Sequence, residues 1–254
     1  MQRSFTYTLL ITWLFAFGAC KTHYIQTDAN GGNVVVSDSI IQPDSQLVQI
    51  YLPYKKLLEK DMSRVLAVNK KEMSKGKPES ELTNFLADLL LEEGQKVLKQ
   101  SGKDFMADIS YFNYGGIRTY LPEGEITVGK IYELMPFENE LVFLKLNGNQ
   151  IREFLNTVAS KGGESVGGVR FSISGGKAKN ITIGKKQIEN EKYYWVATNN
   201  YVAEGGDDLD VFTQKDDNFK TGKLIRDIII AHLESISEKG KIITAQTDGR
   251  ISYE

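Results

Sequence analysis

Apolar residues recur at helical spacing in several stretches of the chain, and between them shorter runs alternate or stay continuously apolar, as strands do. Residues 46–62 set Leu47, Ile50, Tyr51, Tyr54, Leu57 and Leu58 on one helical face, with Pro53 expected to kink that helix or break it early. A second helix reads from Glu79 to Gln100 through Leu82, Phe85, Leu86 and Leu89, and the intervening RVLAVN reads as a strand. The alternating run DFMADISYF predicts a strand that delivers the chain into NYGGIR at 113–118. Next, ITVGKIYELMPFENELVFLKLNGNQ predicts a short strand, one helical turn, a Pro-Phe corner and a second strand ending at an Asn147-Gly148 turn. Residues 149–158 predict a helix through Ile151, Phe154, Leu155 and Val158. Strands follow at VRFSIS, NITIG and YYWVATN, and residues 220–236 predict a last amphipathic helix through Leu224, Ile225, Ile228, His232 and Ile236 before the closing TDGRISY. Helices and strands interleave while hairpin signals intrude, so the fold class is mixed α/β (α+β) and not a doubly wound parallel sheet.

The first twenty residues, MQRSFTYTLLITWLFAFGAC, stand apart from this pattern. A basic start, an apolar stretch from about Thr6 to Phe17 and the small residues Gly18 and Ala19 predict a secretory signal over 1–19, its apolar run being shorter than the ~20 residues that span a bilayer. Cys20, the only cysteine, stands where a bacterial lipoprotein signal places its lipidated residue. The plainer reading is an ordinary cleaved signal followed by an unpaired thiol, which an oxidising compartment disfavours. From residue 20 to 45 the sequence is mostly polar and rich in Gly, Asn, Asp and Ser, as a tether between anchor and domain would be, so the folded domain is expected over 46–254. The expected location is the cell envelope of a Gram-negative bacterium, membrane-anchored through lipid on Cys20, on the periplasmic side or at the outer membrane.

With 254 residues, 41% of them hydrophobic and 25% charged, the chain has the composition of an ordinary globular protein. Without residues 1–19, 30 basic residues face 33 acidic ones, a net charge of −3. That balance gives no sign of a nucleic acid as partner, which calls for a clustered basic surface.

Candidate chemistry gathers in three loops: NYGGIR, MPFEN and NNYVAEGGDD at 199–208. Taken alone, NYGGIR is an ordinary strand-to-loop turn with a surface Arg. Together, the loops offer what a nucleotide needs. Phe137 and Tyr201 can sandwich a base, a contact of about 1–3 kcal/mol in single-strand binders. Arg118 can meet a phosphate through charge-assisted hydrogen bonds of about 1.5–3 kcal/mol. Asn113 can read a base edge, Asp207 can accept from ribose hydroxyls, and Gly115 and Gly116 let the backbone come close to a ligand.

In order and wording these loops resemble the C-terminal domain of the 5′-nucleotidase family. The likeness runs from about Leu47 to Ile251 through ELTNFLADLL, N-x-GGIR, GEITVGKIYELMPFEN, LNGNQIREFL, TNNYVAEGGD and DGRI. The resemblance implies a layered mixed α/β fold that binds the nucleoside part of the substrate. It implies that Asn113 contacts the base, Phe137 and Tyr201 stack on it, Arg118 meets the phosphate and Asp207 holds the ribose. Tyr201 stands where the family usually has Phe, which keeps the stack. The segment KEMSKGKPES stands where the family supplies a further phosphate-binding Arg, leaving Lys75 or Lys77 as a point charge in its place.

Complete members of that family carry a metallophosphatase domain whose two metal ions activate water. Such a site takes several His and Asp ligands, and this chain has two histidines. His23 lies near the expected anchor and His232 on the apolar stripe of the last helix, where a core or boundary histidine is the expectation rather than a metal ligand. The homology begins almost where the tether ends, so no room for the catalytic domain is expected. No HExxH or P-loop occurs. Asp207, Asp208 and Asp210 lack the Glu and loop length of a calcium motif and read as a Gly-Asp turn; KDDNFK and ENEK read as solvated turns. The expectation is therefore no cofactor or metal and no catalytic residue in this chain. The leading function is a nucleotide or nucleoside recognition domain working with a separately encoded metallophosphatase in nucleotide catabolism. The alternative is a lipoprotein that captures nucleosides or nucleotides without catalysis.

Overall fold

A computed structural model describes Gln26, residues 28–33 and residues 44–254; the leader, Cys20 and most of the tether lie outside the described residues. The chain divides into two units, Met1–Gln49 and Ile50–Glu254. The second contains all the described strands, and its middle layer is a five-stranded mixed sheet.

That sheet has the order β10-β4-β9-β2-β5, with β2 at Ile109–Phe112, β4 at Glu140–Asn147, β5 at Ser165–Gly167, β9 at Tyr193–Asn199 and β10 at Asp217–Leu224. Only β2 and β9 pair in parallel. β4 is buried on both faces, which is why ELVFLKLN reads as a nearly continuous apolar run. Its Leu141 and Phe143, with Phe112 and Ala197, belong to a core that includes Leu82, Leu86 and Leu90 of α2 (Glu81–Gln100) and Ile229 and Leu233 of α6 (Ile225–Glu238). Val142, Leu144 and Leu146 face the opposite way, into a second core with Ile151, Phe154 and Leu155 of α4 (Gly148–Ser160). That second core also holds Phe171 of β6 (Val169–Ser174) and Ile181 of β7 (Lys177–Ile183).

β6 and β7 form the centre of a four-stranded sheet ordered β11-β6-β7-β8, with β8 at Lys186–Gln187 and β11 at Ile251–Tyr253. A two-stranded antiparallel pair, β1 (Val65–Asn69) with β3 (Gly124–Thr127), completes the sheets; α3 (Val128–Leu134) follows β3 directly and α5 (Asn200–Ala203) follows β9. The mixed α/β class expected from the sequence is what the structure has.

Several elements depart from the expected pattern. α1 (Ser45–Met62) runs through Pro53 without a break, and its apolar stripe is solvent-exposed, from Tyr51 at 48% to Tyr54 at 73%. The carbonyl that Pro53 leaves without an intrahelical donor belongs to Gln49, an exposed residue. Asn147-Gly148 is no hairpin turn: Asn147 caps α4 in a reciprocal pair with Gln150. Gly148 is required there because a Cβ would lie 2.1 Å from the Glu189 carbonyl oxygen. In DFMADISYF only the last four residues are strand. The expected single turn before MPFEN is a seven-residue helix. The charged run DNFK, expected as a solvated turn, opens β10, and α6 begins only at Ile225. β10 is an edge strand paired to β4 alone, and lysines on such a strand blunt the apolar signal that would reveal it.

Candidate functional site

Sheet topology brings the three loops together. Because β2 and β9 are parallel neighbours, with Ile109 opposite Val196, their C-terminal ends lie at one edge of the sheet. Because β4 runs antiparallel to β9, with Leu141 opposite Asn199, β4 begins at that same edge. The chain leaving β2, the chain leaving β9 and the chain entering β4 therefore converge. They line a cavity of about 360 Å³ formed by Asn113, Gly115, Gly116, Arg118, Phe137, Asn139, Tyr201 and Asp207. All seven substrate-binding candidates read from the sequence meet here, joined by Asn139. Phe137 and Tyr201 are 48% and 51% exposed, far more than rings used for packing.

A fixed set of hydrogen bonds holds the polar side chains. Asn199 caps α5: its Oδ1 accepts from the Val202 backbone N–H at 3.0 Å, which commits its Nδ2 to donate to Asn113 Oδ1 at 3.1 Å. Asn113, 5% exposed, in turn donates through Nδ2 to Asp207 Oδ2 at 2.5 Å. Tyr201 Oη donates to the other oxygen of Asp207 at 3.4 Å. Asp207 adopts left-handed backbone, φ 56°, as does Asp208, φ 58°. The cost of holding two non-glycine residues there is met by Lys161, whose Nζ donates to the Asp207 carbonyl at 2.5 Å and pairs with the Asp208 carboxylate at 3.3 Å. These aspartates are thus engaged with Asn113 and Lys161, in keeping with a tight turn.

Two glycines keep the cavity open. A Cβ on Gly116 would stand 2.8 Å from Asn113 Oδ1, and one on Gly206 would stand 2.6 Å from Cε1 and Cζ of Tyr201.

Arg118 Nη1 donates to the Gly115 carbonyl at 3.1 Å, and the guanidinium lies 5.8 Å from the centroid of the Phe137 ring. Lys75, the proposed point charge, donates to the carbonyls of Tyr114 at 3.1 Å and Ile117 at 2.7 Å, so two of its three N–H groups close the loop from behind. Burial, then the nearby Arg118 and Lys77 charges, lowers the Lys75 pKa below its ordinary value. Lys77 donates to the Lys161 carbonyl, and both lysines lie over the Tyr114 ring at 4.3 and 4.9 Å. Neither lines the cavity.

Four contributors escaped the sequence reading: Asn139, Asn199, Lys161 and Arg226. Asn139 ends the MPFEN motif and its amide was the available signal. Asn199 sat inside the quoted loop as the N-cap of a four-residue helix too short to show a period. Arg226, 6% exposed, lies 4.0 Å over the Tyr132 ring and donates toward the carbonyls of Met135 and Pro136 at 3.4 and 3.3 Å, fixing the corner that presents Phe137. Nothing local in the sequence marks that long-range contact.

Comparison with known proteins identifies the family. A family model described as "5'-nucleotidase, C-terminal domain" matches residues 62–214. The chain is 32% identical over 189 residues to the trifunctional nucleotide phosphoesterase protein YfkN of Bacillus subtilis, covering 68% of this chain and 12% of that protein. It is 26% identical over 208 residues to a 5'-nucleotidase of Vibrio cholerae, covering 80% of this chain and 36% of that one. Among solved structures, a 5'-nucleotidase precursor of Thermus thermophilus superposes with a TM-score of 0.67 at 26% identity, covering 83% of this chain and 44% of that one. The chain thus spans less than half the length of these relatives.

Proposed function

Because the chain belongs to the 5′-nucleotidase family through that family's C-terminal domain, we propose that it is a nucleotide and nucleoside recognition module acting with a separately encoded metallophosphatase in nucleotide breakdown. The observation that carries this reading is the single cavity bounded by the exposed rings of Phe137 and Tyr201, with Arg118, Asn113 and Asp207 on its walls. A base slides between the rings, Asn113 and Asn139 meet its edge, and Asp207 accepts from ribose hydroxyls. Arg118 takes the phosphate, its guanidinium only partly committed to the Gly115 carbonyl. The partner supplies metal ions and the attacking water.

Titration calorimetry of the full chain with AMP and adenosine tests the binding half of this reading. Tyr201→Ala weakens both ligands by about 5- to 150-fold, the equivalent of about 1–3 kcal/mol of stacking. Arg118→Ala weakens AMP and leaves adenosine nearly unchanged. Absence of binding by either ligand at millimolar concentration overturns the reading. Lipid attachment at Cys20 is part of the same proposal, and metabolic labelling with a fatty acid, lost in Cys20→Ser, checks it.

A further inference from the structure

On the far side of α2 from its N-terminal cap, three side chains converge that the nucleotide cleft does not use. His232 of α6 meets Glu93 of α2 through Nδ1 and Oε1 at 2.6 Å, and Glu92 stands beside them; one ligand atom from each residue lies within 4.8 Å of the other two. His232 and Glu93 are largely sheltered, with side chains 11% and 16% exposed, while Glu92 is open to water. The Phe85 ring meets the imidazole edge to face, the ring centroids 6.4 Å apart. His232 and Glu92 also line a cavity of about 610 Å³, together with Ile242 and Gln246.

We propose that Glu92, Glu93 and His232 form a binding site for a divalent transition-metal ion of the zinc class. Ligand chemistry selects the class: an imidazole nitrogen with two carboxylate oxygens suits Zn²⁺ or its neighbours, whereas Ca²⁺ and Mg²⁺ prefer all-oxygen shells. Geometry permits it with side-chain movement alone. Two ligand atoms each about 2.1 Å from one ion stand about 3.4 Å apart at a tetrahedral angle. The Nδ1–Oε1 separation then opens by less than an ångström, and exposed Glu92 swings inward. The fourth position faces the cavity, where water or an external ligand completes the shell.

A cation already occupies this place. Lys96 Nζ bridges Glu92 at 2.8 Å and Glu93 at 2.7 Å. The two carboxylates thus already hold a positive charge between them. Lys96 is nearly half exposed and on a flexible stem, so the metal displaces it into solvent. Unlike His232, Lys96 is a competitor and not a ligand.

Zinc titrated into the EDTA-treated full chain tests the site, with calorimetry and melting temperature as readouts. One saturable equivalent is expected, together with a higher melting temperature, because the ion joins α2 to α6. His232→Ala and Glu93→Gln each weaken binding by at least about tenfold. Glu93→Gln keeps an oxygen for the imidazole, so it retains the helix contact and separates loss of the metal from loss of the fold. Lys96→Ala tightens binding several-fold. No saturable zinc binding, or binding unchanged by both ligand substitutions, overturns the proposal and leaves an ion-pair staple between two helices.

Discussion

Gly206 shows how the cleft depends on atoms that are absent from a side chain. The Tyr201 ring rests where a Cβ at 206 would lie, 2.6 Å from Cε1 and Cζ, a separation real carbon atoms do not sustain. Gly206→Ala therefore turns the ring aside without touching the core. It is expected to weaken adenosine about as much as Tyr201→Ala while melting near wild type, a pairing that calorimetry and a thermal scan read separately. A second residue-scale prediction concerns Glu164, 4% exposed, whose carboxylate accepts a hydrogen bond from the Tyr111 hydroxyl. Burial chiefly pushes its pKa above the ordinary 4.5. A raised carboxyl pKa means the folded state holds more protons than the unfolded one above that value, so stability falls as pH rises from about 4.5 toward the folded pKa. Glu164→Gln removes that loss. Its melting temperature should match wild type near pH 4 and exceed it increasingly toward neutrality; a constant gap across that range would refute the assignment. At this scale the sequence was informative where chemistry is local, as in NYGGIR and MPFEN. Glu164 and Arg226 were illegible because their partners, Tyr111 and the Met135–Pro136 corner, lie 53 and about 90 positions away in the chain.

Among elements, the same contrast separates what pattern reveals from what only packing decides. α2 and α4 were legible because each buries one apolar stripe; their reciprocal caps, Ser80 with Thr83 and Asn147 with Gln150, were not read from the sequence. β10 was hidden by its lysines, and Asn147-Gly148 looked like a hairpin because the same two residue types serve a cap and a close approach. The parallel pairing of β2 with β9, which creates the site, joins segments 87 positions apart and leaves no local mark. Another such junction is Arg250, 8% exposed, just ahead of β11. Its guanidinium makes a two-pronged contact with Asp88 of α2 at 2.7 and 2.8 Å, donates to the Val166 carbonyl of β5 at 3.0 Å and engages Asp248. Lysine keeps the charge but cannot form the fork. Arg250→Lys should destabilise by about 1.5–3 kcal/mol, read as a melting temperature lower by about 3–12 °C. A shift within one degree would mean that the fork contributes nothing to holding α2, β5 and β11 together.

For the molecule as a whole, the chemistry of the cleft decides what the chain can do. The eight residues lining the cleft offer two rings, two amides, two glycines, one guanidinium and one carboxylate. That set binds and orients; activating water at neutral pH needs a metal-bound hydroxide or a positioned base, and Asp207 is already tied to Asn113 and Tyr201. The chain covers 36% of the Vibrio cholerae 5'-nucleotidase and 44% of the Thermus thermophilus one, so more than half of each relative lies outside the match. The proposed division of labour puts recognition on this chain and bond cleavage on another. Alone, the full chain should release no phosphate from AMP above the rate in buffer. Mixed with a purified metallophosphatase from the same source, it should raise phosphate release from AMP, and Tyr201→Ala should remove the increase while leaving the partner's basal rate unchanged. The Tyr201 control matters because a nonspecific effect of added protein would survive it. If the wild-type chain and Tyr201→Ala raise the rate equally, or neither does, the cleft does not deliver substrate to that enzyme; should AMP nevertheless bind in the calorimeter, its role is capture rather than catalysis in partnership.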